Sequence, residues 1–208
     1  MSDLQIIRPF GPSIAKITMP EELIKNLNNY VDKIILDEEK VSKLDHSNQL
    51  AGKVKQEFLL ENKFMEEIKW GEFLGKAVKT WLQHDSQKQL KSFEMIKCWI
   101  VRQFKNEYNP VHHHSGHVSG VGYLKVPEHL GEISEKKKTN DKGRLTLIHG
   151  SVNLFSKATY VIKPEVGDFY LFPNYLLHTV YPFSDTDEER RSISFNANLD
   201  RYSASYST

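Results

Sequence analysis

The chain has 208 residues, of which 39% are hydrophobic and 11% aromatic, enough to bury one domain-sized core. Its 28 basic and 27 acidic side chains nearly cancel, so the charge balance calls for neither nucleic acid nor an anionic membrane. No apolar run approaches the ~20 residues of a transmembrane helix. The opening Met-Ser-Asp-Leu-Gln-Ile-Ile-Arg lacks the basic and apolar parts of a signal peptide. The single cysteine, Cys98, cannot form an internal disulfide, and a reducing cytoplasm is the expected location.

Residues 4–19 read as extended, with a turn at Gly11-Pro12. Thr18 then stands as a helix cap, with Pro20 in the first turn and Glu21 at capping-box spacing. Leu23, Leu27, Tyr30, Val31 and Ile34 recur at helical spacing and carry that helix to about Asp37. Residues 38–56 are polar and show no usable period. A second helix is expected over 64–82, with Ile68, Phe73, Leu74, Ala77, Val78 and Trp81 on one face. Both helices are expected to cover a sheet.

From about residue 90 the pattern changes to short β-prone runs. The first is 93–104, with Cys98 as a packed core thiol. A turn over 106–110 leads into a histidine-rich strand over 112–124 that ends at Pro127. Further strands are expected at 145–149, 158–163, 168–172, 176–181 and 192–198. The polar stretch 128–142 reads as a loop that closes over a site as a lid, and Lys136-Lys137-Lys138 within it as a solvated face. Helices first and about seven short strands afterwards predict a β-sandwich or jelly-roll flanked by helices.

The histidine run carries the chemistry. On a regular strand, residues two apart share a face, so His112 and His114 converge and His113 points away. Two convergent imidazoles suit iron, zinc, copper or nickel, and His178 on a later strand is the candidate third ligand. His117 is out of phase and needs a bulge to join them. The bland alternative is a solvated histidine loop without metal. Arg190 and Ser192 are also two apart, so both can hold the distal carboxylate of a dicarboxylate co-substrate whose 2-oxo-acid end chelates the metal. Arg191 then faces outward. Taken alone, Arg190 is explained as well by a surface ion pair with Asp187 or Glu188. Three histidines also hold catalytic zinc, so the ligands alone do not choose the reaction.

Five motifs occur in order: Asn109-Pro-Val-His-His-His-Ser-Gly, Ser119-Gly-Val-Gly-Tyr-Leu, Gly167-Asp-Phe-Tyr-Leu-Phe-Pro, Leu177-His-Thr-Val and Arg190-Arg-Ser-Ile-Ser-Phe-Asn. Together they resemble the 2-oxoglutarate-Fe(II) oxygenases of bacteria and marine phages, over residues 92–200. The resemblance implies a mainly β protein with N-terminal helices, a double-stranded β-helix (jelly-roll, cupin-like) in a single domain over 1–208. Residues 1–89 would be a mostly helical support and 90–200 the jelly-roll core. It implies Fe(II), 2-oxoglutarate as co-substrate, and O2. Matched residue by residue, the metal set is His112, His114 and His178, and the 2-oxoglutarate set is Arg190 and Ser192. Tyr123 and Asn109, with Tyr108, flank the site as positioning candidates. The wider superfamily has Asp or Glu where this chain has His114. The implied activity is a dioxygenase that hydroxylates an unknown substrate, a small molecule or a protein side chain, with release of succinate and CO2. Two other readings of the residues stay open: a three-His cupin-type metalloenzyme that does not use 2-oxoglutarate, and a non-catalytic jelly-roll binding module.

Overall fold

A computed structural model of the protein describes residues 4–7, 11–49, 52–131, 140–154 and 156–200. Eleven strands run through them: β1 (Gln5–Ile7), β2 (Ile14–Thr18), β3 (Gln56–Leu59), β4 (Phe93–Gln103), β5 (Asn109–His112), β6 (Val118–Lys125), β7 (Leu145–Ile148), β8 (Thr159–Ile162), β9 (Asp168–Pro173), β10 (Leu177–Val180) and β11 (Arg190–Leu199). The helices are α1 (Glu21–Ile34), α2 (Glu38–Leu44), α3 (Asn62–Glu67) and α4 (Trp70–Ser86). The strands make a seven-stranded sheet in the order β1-β2-β9-β6-β11-β4-β3 and a four-stranded sheet in the order β5-β10-β7-β8. Every pairing between these strands is antiparallel. This is the jelly-roll architecture, mainly β, with the helices on one side.

The larger sheet is covered on both faces, and β9 shows why its sequence reads as an unbroken apolar run. Side chains alternate along a strand. Phe169 and Leu171 point into a core shared with Leu27, Val31 and Ile34 of α1 and Leu74, Val78 and Trp81 of α4. Tyr170 and Phe172 point the other way, into a core shared with Leu145 and Leu147 of β7 and Ile162 of β8. Both faces are thus dry, so neither needs polar residues. Burial of Leu27, Val31 and Ile34 alone contributes roughly 5–9 kcal/mol of transfer free energy, before the entropy of ordering α1. Gly122 of β6 is required by this packing: a Cβ there would stand 2.3 Å from Phe169 Cδ2.

The structure corrects several boundaries. Thr18 is the last residue of β2, paired with Asp168, and does not cap a helix. Pro20 stands at the N-cap of α1 instead, and Glu21 and Glu22 supply negative charge to the first turn. Asp37 ends the run because it caps α2, its side chain accepting from the Lys40 N–H at 3.1 Å. The expected helix over 64–82 is two helices, broken where Lys69 takes a left-handed φ of 55°. Strand β3 begins at the end of the polar segment and is too short to show a period. Asn109 and Pro110 belong to β5, and the turn falls earlier, at Asn106 with φ 65°.

The largest correction concerns the histidine run. It is not one strand: β5 belongs to the smaller sheet and β6 to the larger. Residues 113–117 cross between them. Gly116 makes that crossing with φ +93°, where a Cβ would lie 2.8 Å from the Ala197 carbonyl oxygen. The lid expected over 128–142, with its three lysines, falls mostly on residues 132–139, outside the described residues. Among the described residues no helix is long and apolar enough to cross a membrane.

Candidate metal centre

His112 ends β5 and lies directly opposite His178 of β10 in the sheet register. His114 arrives from the crossing segment. Its backbone is clamped by Asn174, whose carbonyl accepts the His114 N–H at 3.2 Å and whose side-chain amide donates to the His114 carbonyl at 2.9 Å. The three rings then converge, with centroids 4.3 Å apart for His112 and His178, 4.9 Å for His112 and His114, and 4.8 Å for His114 and His178. One ligating nitrogen from each lies within 4.8 Å of the others. The expected convergence therefore exists, although the second imidazole is delivered by a bend and not by strand alternation.

Hydrogen bonds set the tautomers. His112 Nδ1 donates to the Pro110 carbonyl at 2.7 Å and His178 Nδ1 to the Leu176 carbonyl at 2.8 Å. A carbonyl can only accept, so the proton sits on Nδ1 and the Nε2 lone pair is free for a metal. The Nε2 atoms of His178 and His114 are 3.1 Å apart. Two nitrogens each about 2.1 Å from one ion, at close to a right angle, are about 3 Å apart, so the pair already has ligand spacing. Burial, then the neighbouring imidazoles, lowers His114 to about 3. Burial and His112 lower His178 to about 4, and His112 is lowered mainly by burial. All three are neutral imidazoles at pH 7, the form that binds metal. Phe172 and Trp99 wall the cluster, with ring centroids 5.2 Å from His178 and 5.5 Å from His114. These residues fit a divalent transition metal.

Arg190 and Ser192 of β11 line the same cavity between the sheets, with Glu57 and Asn109. Arg190 is 1% exposed. Its Nη1 donates to Gln103 Oε1 at 3.1 Å, while Nε and Nη2 have no partner. The guanidinium lies 5.1 Å from the centre of the Tyr123 ring. Tyr123 is fully buried, its hydroxyl is also without a partner, and burial pushes that phenol up to about 12, so it remains a donor. A buried guanidinium with two free donor nitrogens is costly unless an anion completes it. A carboxylate matches that fork.

Other expectations change. The surface ion pair suggested for Arg190 is not its environment, because the side chain is internal. Arg191 does turn away from the cavity, but not to water. It is 0% exposed and bonds Glu189 Oε1 at 2.6 Å, Asp32 Oδ1 at 2.7 Å and the Asn28 carbonyl at 3.2 Å beneath α1. His117 is no fourth ligand: its Nδ1 accepts the Leu199 N–H at 2.9 Å. His113 is exposed, as expected. Asn109 lines the cavity, and Tyr108 is 40% exposed. Cys98 is a buried core thiol, receiving the Trp70 Nε1–H at 3.2 Å. Sequence reasoning missed Glu57 of β3, 1% exposed, with Oε2 unpartnered. Burial, reinforced by Asp45, raises it to about 7. The one available signal was a lone carboxylate beside the apolar Phe58-Leu59-Leu60.

Residues 97–196 match the family described as "Putative 2OG-Fe(II) oxygenase". That stretch is just under half of the chain, and it is similar to the 2OG-Fe(II) oxygenases. Oxygenases of this family use Fe(II), 2-oxoglutarate and O2, and the three-histidine cluster suits the iron. The chain also resembles solved structures. A prolyl-4-hydroxylase from Pseudomonas putida aligns with TM-score 0.55 and 15% identity over 88% of this chain and 91% of its own. A viral collagen prolyl hydroxylase from Paramecium Bursaria Chlorella virus-1, solved with 2OG, gives 0.52 and 14% over 88% and 94%. A Trichoplax adhaerens prolyl hydroxylase, bound to a hypoxia inducible factor peptide fragment, gives 0.52 and 14% over 94% and 87%. At such identities the likeness is one of fold. No curated protein matches the chain in a sequence comparison.

Proposed function

We propose that this protein is a 2-oxoglutarate-dependent oxygenase that hydroxylates an unactivated C–H bond of its substrate, with His112, His114 and His178 holding Fe(II) and Arg190, Tyr123 and Ser192 holding 2-oxoglutarate. In the overall reaction one C–H becomes C–OH, O2 supplies both oxygen atoms, and 2-oxoglutarate is oxidised to succinate and CO2. The iron centre supplies the oxidising chemistry, and the chain supplies binding, orientation and dryness.

The observation that carries the reading is the unfinished coordination of Arg190, a buried fork aimed into the cavity that holds the histidines. Nε and Nη2 take one carboxylate of the dicarboxylate, and the Tyr123 hydroxyl donates to it. Ser192, directly opposite Tyr123 in register, offers a hydroxyl on the same row. Gln103 fixes the guanidinium from the remaining side. Phe172, Trp99 and Val121 exclude water from the metal face. Asn109, at the start of β5, positions groups at the mouth of the site.

The test is product analysis. With Fe(II), 2-oxoglutarate and O2, the wild-type chain forms succinate slowly without substrate and faster with it, and Arg190→Met does neither at matched 2-oxoglutarate. One observation favours a second reading. His114 stands where the wider superfamily carries a carboxylate, and three neutral ligands leave the centre more positive, which suits a three-His dioxygenase or a zinc hydrolase that needs no co-substrate. Turnover indifferent to 2-oxoglutarate would select it.

A further inference from the structure

Glu57 belongs to the cavity, yet neither the metal set nor the co-substrate set uses it. Its carboxylate is not among the groups clustered closely enough to share an ion with the histidines. Across the larger sheet, Tyr123 of β6, Ser192 of β11, Val101 of β4 and Glu57 of β3 stand directly opposite one another in consecutive pairs. Neighbouring strands are about 4.8 Å apart, so Glu57 is roughly 10 Å from Ser192 and roughly 14 Å from Tyr123 along this row. The cavity is therefore polarised. A cation without an ion-pair partner, Arg190, lies at one end with Tyr123, and a buried carboxyl group with an unpartnered oxygen lies at the other, on the edge strand.

A buried carboxyl with an unpartnered oxygen, held near 7 by burial and so partly protonated at neutral pH, is drawn to its charged form by a cation that completes it. Its surroundings leave room for added positive charge. Asp45 and Glu107 both act on it as like charges; Lys97 opposes them, but makes no ion pair with it among the described residues. Trp99, 4% exposed, lines the same cavity, and an indole ring is a favourable neighbour for a cation. Around Glu57 the fit is close: a Cβ on Gly52 would lie 3.0 Å from Glu57 Oε2 and 3.1 Å from Asn109 Nδ2.

We infer that Glu57 is the substrate-recognition carboxylate, and that the substrate carries a primary alkylammonium group seated between Glu57 and Trp99, so that a nearby C–H faces the histidine cluster. This rests on the proposed oxygenase reading for the metal and co-substrate ends, but the ammonium site is tested without turnover. The group is supplied either by a free amine or by a lysine side chain.

The experiment titrates Fe(II)- and 2-oxoglutarate-loaded protein, under nitrogen, with n-butylammonium chloride, with n-butanol as the neutral isostere, and with Nα-acetyl-lysine methylamide. Tryptophan fluorescence is the readout and Trp99→Phe the control for its origin. Expected is saturable quenching by butylammonium, none by butanol, and at least tenfold weaker binding in Glu57→Gln with 2-oxoglutarate affinity within twofold of wild type. Glu57→Asp keeps the charge and keeps the preference for the ammonium, which separates recognition from a folding defect. Tighter binding of the lysine derivative assigns a protein side chain, and weaker binding a free amine. Butanol binding as well as butylammonium, or Glu57→Gln binding butylammonium like wild type, overturns the inference. Failure of 2-oxoglutarate to bind the iron-loaded protein instead counts against the oxygenase reading of the site.

Discussion

Replacing Arg190 by Met separates binding from folding. The side chain is 1% exposed and offers Nε and Nη2 to the cavity, so a bound carboxylate gains two charge-assisted hydrogen bonds. Truncating one partner of a buried, hydrogen-bonded charge pair costs about 2–5 kcal/mol. At about 1.4 kcal/mol per tenfold, 2-oxoglutarate should bind roughly 30- to 4,000-fold more weakly. Stability should move far less. Met relieves an incompletely paired buried cation, worth several kcal/mol in the unliganded protein. It also strands Gln103 Oε1, which now accepts from Arg190 at 3.1 Å, at a cost of about 1–3 kcal/mol. These terms oppose each other, so the unliganded variant should melt within a few degrees of wild type, while 2-oxoglutarate raises the melting temperature of the wild type alone. Anaerobic calorimetric titration of 2-oxoglutarate into iron-loaded protein is the assay. Affinity within tenfold of wild type would refute the assignment of Arg190.

Other consequences are open to test. Burial alone would raise Glu189, but hydrogen bonds from Arg191 and Arg102 outweigh it and hold the carboxylate down to about 2. Because its value in the fold lies below that in the unfolded chain, its stabilisation is complete above the ordinary carboxylate range and is lost as pH falls from about 4.5 toward 2. The gap is worth on the order of 3 kcal/mol. Urea midpoints should show Glu189→Gln less stable at pH 7 and less sensitive to acid over that window; identical profiles would discard the network. The Cys98 thiol, buried and pushed up to about 12, should resist a thiol reagent at pH 8 until the chain unfolds. Rapid labelling of the native protein would contradict its place in the core. Gly122→Ala should cost about 1–3 kcal/mol by driving a methyl into Phe169, read as a lower urea midpoint.

Local periodicity made much of the site legible. Arg190 and Ser192 share the cavity face of β11 because they are two apart on a real strand. His112 and His178 meet because β5 and β10 pair. His114 reached the right place for a different reason, since the chain leaves β5 and bends at Gly116. Alternation along a sequence cannot reveal that a run switches sheets. It also names two faces without saying what covers each. Arg191 reads as outward-facing because nothing in its own strand announces that α1, some 160 residues earlier in chain order, lies over it. Glu57 was hidden by brevity: a four-residue strand has no period to read, and its place in the cavity comes from pairing with β4, some 40 residues away.

The most direct test of the account is optical. Purified protein is kept under nitrogen, given one equivalent of Fe(II), then 2-oxoglutarate, and examined for the weak visible charge-transfer band of a 2-oxo acid chelated to ferrous iron. The account predicts a band that saturates at one 2-oxoglutarate per chain, vanishes in His112→Ala and needs far more 2-oxoglutarate in Arg190→Met. Iron bound at one equivalent with no band at any 2-oxoglutarate concentration would contradict it.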